Sequence, residues 1–159
     1  MDSNRESVIA GILEPSLPPG IECFNSEGFE FFLTRELAES MRYAYFSAFS
    51  LFRVNGVEDG EGLERLARCL TRNVRKTDFV GRVDQDTIGI ILQHATVDSA
   101  AQVLERLKRE LINVFGGRHI ETIRDAVAVF PTEANTLEAL KDLAWSRLTA
   151  DETASEQAS

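Results

Sequence analysis

Apolar positions along the chain recur with helical spacing in four places and as short runs in four others. From about Ser26 to Tyr43, Phe29, Leu33, Leu37 and Met41 recur every four residues, and Phe32 widens the stripe, which predicts an amphipathic helix. Tyr45 to Val54 is aromatic and apolar with no cap signal, so it reads as a buried strand. The turn Asn55-Gly-Val-Glu-Asp-Gly60 leads into a second helix, about Glu61 to Arg75, with Leu63, Leu66, Ala67, Leu70 and Val74 on one face. Phe79 to Val83 and Ile88 to Gln93 flank Asp84-Gln-Asp-Thr87, the pattern of a hairpin. Asp98 can cap a third helix carrying Ala101, Leu104, Leu107, Leu111 and Val114, which Gly116-Gly117 ends. Thr122 to Phe130 reads as a strand stopped by Pro131, and Thr136 to Leu148 as a last helix capped by Asn135 or Thr136.

The predicted order is helix, strand, helix, strand, strand, helix, strand, helix. A hairpin inside an alternating pattern implies an α/β (α+β) sandwich, a mixed sheet with helices packed on it. Three prolines in Glu14-Pro-Ser-Leu-Pro-Pro-Gly20 mark residues 1–20 as an extended lead-in, of which Val8, Ile9, Ile12 and Leu13 are free to pack. The small polar residues of 150–159 read as a disordered acidic tail, leaving 21–149 as the domain.

Composition narrows the function classes. The chain has 159 residues, 43% hydrophobic, enough for one core. Its apolar runs are too short to span a bilayer and its start carries no secretory signal, so a cytoplasmic setting is expected. A formal net charge of −9 disfavours DNA or RNA as a partner. Cys23 and Cys69 are too few for a disulfide framework or zinc site, and His94 and His119 have no ligand-spaced partner.

The hairpin Asp78 to Leu92, the strand end Val127-Ala-Val-Phe-Pro131 and the pair Asn25 with Phe29, spread over roughly residues 20 to 148, together resemble the GGDEF (diguanylate cyclase) family. Asp78 to Leu92 is similar to the family's D-x-x-x-R-x-G-G-[DE]-E-F segment, with Arg82 on the arginine and Ile88 on the phenylalanine. Val127-Ala-Val-Phe-Pro131 with Thr136 to Leu140 resembles its last strand and helix, and Asn25 with Phe29 the opening of its first helix. The resemblance implies a nucleotidyl-cyclase-like fold with a central mixed five-stranded sheet. It also implies a reaction joining two GTP molecules into cyclic di-GMP over magnesium held by carboxylates. At the matching positions Ala48 and Ser50 stand where the family has aspartates. Asp84 and Gln85 replace the glycines, Asp86 keeps one carboxylate, and Thr87 replaces the glutamate. On those positions the expectation is of no metal site, no required cofactor and no enzymatic role, Asp86 being read as a turn residue bonded to its own backbone.

Arg75-Lys-Thr-Asp78 matches the RxxD motif of the family's product site, and Arg106 falls where the family often adds an arginine from the next helix. The resemblance implies that cyclic di-GMP docks on Arg75, Asp78 and Arg106. The arginine fork suits guanine O6 and N7, the aspartate suits N1 and N2, and Arg72 and Lys76 keep the cluster locally basic. The reading is therefore a cyclic di-GMP receptor that signals to a protein partner, homodimer formation being left open. The alternative is a nucleotide-independent interaction module.

Overall fold

The computed structural model describes residues 11–15, 17, 20–54, 60–116 and 123–157; the remaining lead-in, the turn 55–59 and His119 lie outside the described residues. The elements follow the expected order: α1 (Ser26–Tyr43), β1 (Ser47–Val54), α2 (Gly60–Asn73), β2 (Phe79–Asp84), β3 (Thr87–Gln93), α3 (Val97–Phe115), β4 (Ile123–Phe130) and α4 (Leu137–Gln157). Asn25 caps α1 by accepting from the Gly28 N–H at 2.8 Å. Thr96, not Asp98, caps α3, through a reciprocal capping box with Ser99. Thr136 accepts from the Ala139 N–H at 3.1 Å and caps α4. That helix continues through Gln157, over most of the stretch expected to be a disordered tail. No glycine or proline interrupts it there.

Among the described residues the sheet has four strands in the order β2-β3-β1-β4, every neighbouring pair antiparallel. The α/β sandwich stands, but the expected fifth strand and mixed pairing are corrected. Each helical crossover joins strands that run parallel, β1 with β2 and β3 with β4, but one strand lies between the members of each pair, so every neighbouring pair is antiparallel. The parallel contact is a single bridge, Phe24 to Gly81, in which the Phe24 N–H donates to Val80 O at 2.9 Å and Phe24 O accepts from Arg82 N–H at 2.8 Å. The chain entering α1 thus covers part of the β2 edge.

Helices cover both faces. On one, Ala48, Phe52, Ile88, Ile90 and Leu92 meet α2 and α3 through Leu66, Leu70, Leu104 and Leu107. On the other, Phe49, Leu51 and Ile91 meet α1 and α4 through Phe29, Leu33, Leu140 and Leu148. Gly81 and Gly89 face each other across β2 and β3, and a Cβ on either would lie within 2.7 Å of the Phe29 ring. The bare backbone pair is what lets that ring lie on the sheet.

Three expected core residues are corrected. Met41 is 68% exposed, because steps of four overshoot the helical repeat by about 40° each. Ser40 takes its buried place. Ala101 and Val114 of α3 are likewise exposed, while Ala100 is buried. Both cysteines are buried free thiols, and burial pushes Cys23 up to about 12.

Glu133 ties the turn after β4 to α4. It accepts from Arg147 at 2.5 Å and from the Val129 N–H at 3.1 Å, and Arg147 also donates to Val127 O at 2.6 Å. The Arg147 hydrogen bond holds the Glu133 carboxyl below its ordinary range. A lowered folded-state pKa contributes stability that is complete above the usual glutamate range and lost as pH falls through the lowered value. Urea midpoints measured from neutral into acid should therefore drop less steeply for Glu133→Gln than for the parent chain. Identical acid dependence would contradict the contact.

Candidate functional site

Arg75 and Asp78 sit in the turn between α2 and β2. The three-residue spacing lets the chain fold back on itself. The Asp78 N–H donates to Arg75 O at 2.9 Å, and Asp78 Oδ2 accepts from the Arg75 N–H at 3.0 Å. Asp78 Oδ1 accepts from the Gln93 N–H at 3.2 Å, and Arg75 Nη2 donates to Gln93 O at 2.9 Å. Arg75 and Asp78 thus clasp the end of β3 between them, with an ion-pair distance of 3.6 Å. The carboxylate is inside, its side chain 2% exposed, and the guanidinium outside at 60%. Arg75 keeps donors facing solvent. Asp78 already holds two backbone N–H groups. A carboxylate has about four acceptor positions, so it retains capacity, but reaching it requires the guanidinium to move.

Both residues line a surface cleft of about 170 Å³ together with Thr71, Lys76, Phe79 and Glu22. Arg72 and Lys76 are exposed at the same helix end. Arg106 is exposed on α3 and is not among the residues lining the cleft. The structure therefore brings Arg75 and Asp78 together and leaves Arg106 on a neighbouring helix.

Gln93 carries the clasp further inward. Its Nε2 donates to Glu36 Oε2 at 2.6 Å. Glu36, buried on α1, also accepts at Oε1 from Tyr45 Oη at 2.8 Å and Ser47 Oγ at 2.9 Å. Ser40 Oγ lies 2.9 Å from Ser47 Oγ and donates to Tyr45 O at 2.8 Å. Burial, followed by the Glu36 hydrogen bond, raises the Tyr45 pKa, so the phenol stays a donor. The Tyr45 ring packs on His94, centroids 4.1 Å apart. The sequence reading missed this network. Its one signal was a glutamate and a serine, four apart, inside the buried side of an otherwise apolar stripe.

The hairpin tip lies at the other end of β3, about 20 Å away along six residues of strand. There Thr87 Oγ1 donates to Asp86 Oδ1 at 3.0 Å, and Arg53 Nε reaches Thr87 Oγ1 at 3.0 Å and Asp86 Oδ1 at 3.4 Å. Asp86 is thus bonded to side chains, not to its own backbone as expected. Asp84 is the one that accepts from a turn amide, Gln85 N–H, at 2.7 Å. Ala48 and Ser50 are buried on the α2–α3 side of β1, and Ser50 Oγ has no hydrogen-bond partner among the described residues. Among the described residues no group of three or more His, Cys, Asp or Glu side chains could hold a metal ion. Ala48 and Ser50 offer no carboxylate, so Asp86 is the one of these three that could ligate magnesium over a triphosphate.

A family model described as "Diguanylate cyclase, GGDEF domain" matches residues 57–149. No match was found among curated proteins. Among solved structures, a DGC protein from Thermotoga maritima is 21% identical with a TM-score of 0.67, covering 82% of this chain and 99% of that one. The GGDEF domain of DgcB from Caulobacter crescentus, in complex with c-di-GMP, is 14% identical with a TM-score of 0.72, covering 89% and 92%. Diguanylate cyclase SiaD in complex with its activator SiaC, from Pseudomonas aeruginosa, is 19% identical with a TM-score of 0.71, covering 96% and 64%. At these identities the structures establish the fold. The family match corrects the expectation of no enzymatic role, because the family it describes is one of diguanylate cyclases. The expectation rested on six positions on β1 and the hairpin and on a loop, Val54 to Gly62, several residues shorter than the family's. The matched span also takes in Glu58 and Asp59, in the stretch outside the described residues.

Removing the Asp78 carboxylate strips the acceptor from two backbone N–H groups, at a cost of about 1–3 kcal/mol. Asp78→Ala should lower stability by that much in thermal or urea unfolding, with Asp78→Asn between it and the parent. Unchanged stability in both would rule out the clasp.

Proposed function

Since the chain belongs to the GGDEF domain family, we propose that it binds cyclic di-GMP at the Arg75–Asp78 cleft and conveys the bound state to a protein partner. One observation carries this reading. The Arg75 guanidinium is held at the mouth of a cleft by the Asp78 carboxylate and Gln93 O, with donors facing outward beside Lys76. Within an acidic chain that is a local site for an anion carrying acceptor-rich bases. Arg75 would take guanine O6 and N7 or a phosphate oxygen. Asp78 would accept from the guanine N1 and N2 hydrogens once the guanidinium swings onto the ligand. Arg106, exposed on α3, would close over the second base or a phosphate.

The complex of the DgcB domain with c-di-GMP supports a dinucleotide as the ligand, and that of SiaD with its activator supports a protein partner. The route for conveying occupancy would be the chain from Arg75 through Gln93 to Glu36, which reaches α1. No helix of the described residues is long and apolar enough to cross a membrane. The proposed setting is the cytoplasm, where two buried thiols stay reduced.

Titration calorimetry with cyclic di-GMP should give saturable heat for the parent chain. Arg75→Ala should weaken binding roughly 10–100-fold, the worth of a charge-assisted hydrogen bond or two. The two N–H groups on Asp78 are backbone ones, from Arg75 and Gln93, so this variant leaves both in place. Absence of heat from the parent at tens of micromolar ligand, or equal affinity in the variant, would sink the proposal.

A further inference from the structure

The outward side of α1 carries a pattern that its packing on the sheet leaves unused. Phe29, Leu33, Glu36, Leu37 and Ser40 are buried against the domain. On the opposite side, Phe31, Thr34, Ala38 and Met41 follow one another at steps of three, four and three, which places them on a single face. Phe31 is 62% exposed and Met41 68%. The described part of the lead-in meets α1 elsewhere, where Ile12 packs on Gly28.

We propose that this face is a self-association surface on which two copies of the chain pack α1 against α1, antiparallel, about a two-fold axis passing between Thr34 and Arg35. The sequence of the face is complementary to itself about that point. Phe31 and Ala38 lie equally far on either side of it, so each large ring would sit over the other copy's small side chain. Glu27 and Arg42 are also equidistant from it, so each end of the contact would pair a carboxylate with a guanidinium.

Charge selects this arrangement over the alternatives. A parallel pair would set Glu27 against Glu27 and Arg42 against Arg42. The other charges on the face are already satisfied within the copy. Glu30 pairs with Lys141 at 2.8 Å and Arg35 with Glu39 at 3.5 Å. Glu27 and Arg42 have no ion pair among the described residues, although Arg42 rests on the Tyr43 ring at 5.4 Å. A partner of different sequence has no reason to match a pattern symmetric about its own midpoint. One helix pair is a small interface, so the dimer forms in a concentration-dependent way.

Sedimentation velocity on the full chain, across a concentration series up to the solubility limit, reads the association. The expected result is a reversible monomer–dimer equilibrium. The dimer holds two such pairings and a substitution alters both, so Glu27→Arg or Arg42→Glu alone should weaken it roughly 5–30-fold. The double variant Glu27→Arg with Arg42→Glu should restore it, since each copy then offers the exchanged charges to the other. Thr34→Cys, near the axis, should cross-link to its own counterpart under mild oxidation, while the buried native thiols stay silent. All these positions are exposed, and circular dichroism checks that each variant folds. A monomer at every concentration, a dimer indifferent to the single reversals, no rescue by the double reversal, or no Thr34→Cys cross-link would each overturn the proposal.

Discussion

The strand β1 is the constraint on which the rest of the domain depends. It is hydrogen-bonded along both edges, to β3 from Ser47 through Arg53 and to β4 from Ser47 through Val54. Both its faces are under helices. A strand so placed tolerates only side chains that fit a packed core, which is why Phe49, Leu51 and Phe52 alternate there with the small Ala48 and Ser50. The register of β1 with β3 then fixes where the two ends of β3 fall. Gln93 arrives beside Ser47, within reach of Glu36 and the Arg75–Asp78 turn, and Thr87 arrives beside Arg53.

The two ends are chemically unlike. At the Gln93 end a buried carboxylate is satisfied by three neutral donors, with no cation on it among the described residues: Gln93, Tyr45 and Ser47 donate directly, and Ser40 bonds Ser47. Burying Glu36 is costly without those donors, so the network holds α1, β1 and β3 in one arrangement. At the Thr87 end Arg53 gathers Asp86 and Thr87 and lies over the Trp145 ring at 5.5 Å, which ties the hairpin tip to α4. A ligand pulling on Arg75 would act on the first of these assemblies, and through Glu36 on α1.

The order and type of α1 to α4 and β1 to β4 were legible in the sequence, because apolar spacing differs so clearly between helix and strand here. What failed was rotation and pairing. Spacing of exactly four puts Met41 in line with Phe29 on paper, but the helical repeat turns it out and Ser40 in. The sheet's antiparallel pairing depends on how crossovers return the chain, which no local window carries. The proximity of Arg75 and Asp78 was legible because their spacing is local, a turn that closes on itself. Glu36 was not, since its donors come from three segments of the chain. The position of Arg106 relative to the cleft was equally a tertiary matter. The enzymatic reading went wrong for a related reason. It weighed a few positions on two strands, while membership in a family of diguanylate cyclases rests on the pattern of residues 57–149 as a whole.

The most direct test of cyclic di-GMP binding at the cleft is the set of backbone amide chemical shifts followed through a titration with the dinucleotide. The Arg75, Lys76, Asp78 and Gln93 amides should move together and saturate at one common affinity, with smaller shifts passing to Glu36 and its neighbours on α1. Unchanged spectra, or shifts confined to Asp84 through Thr87 at the far end of β3, would contradict it.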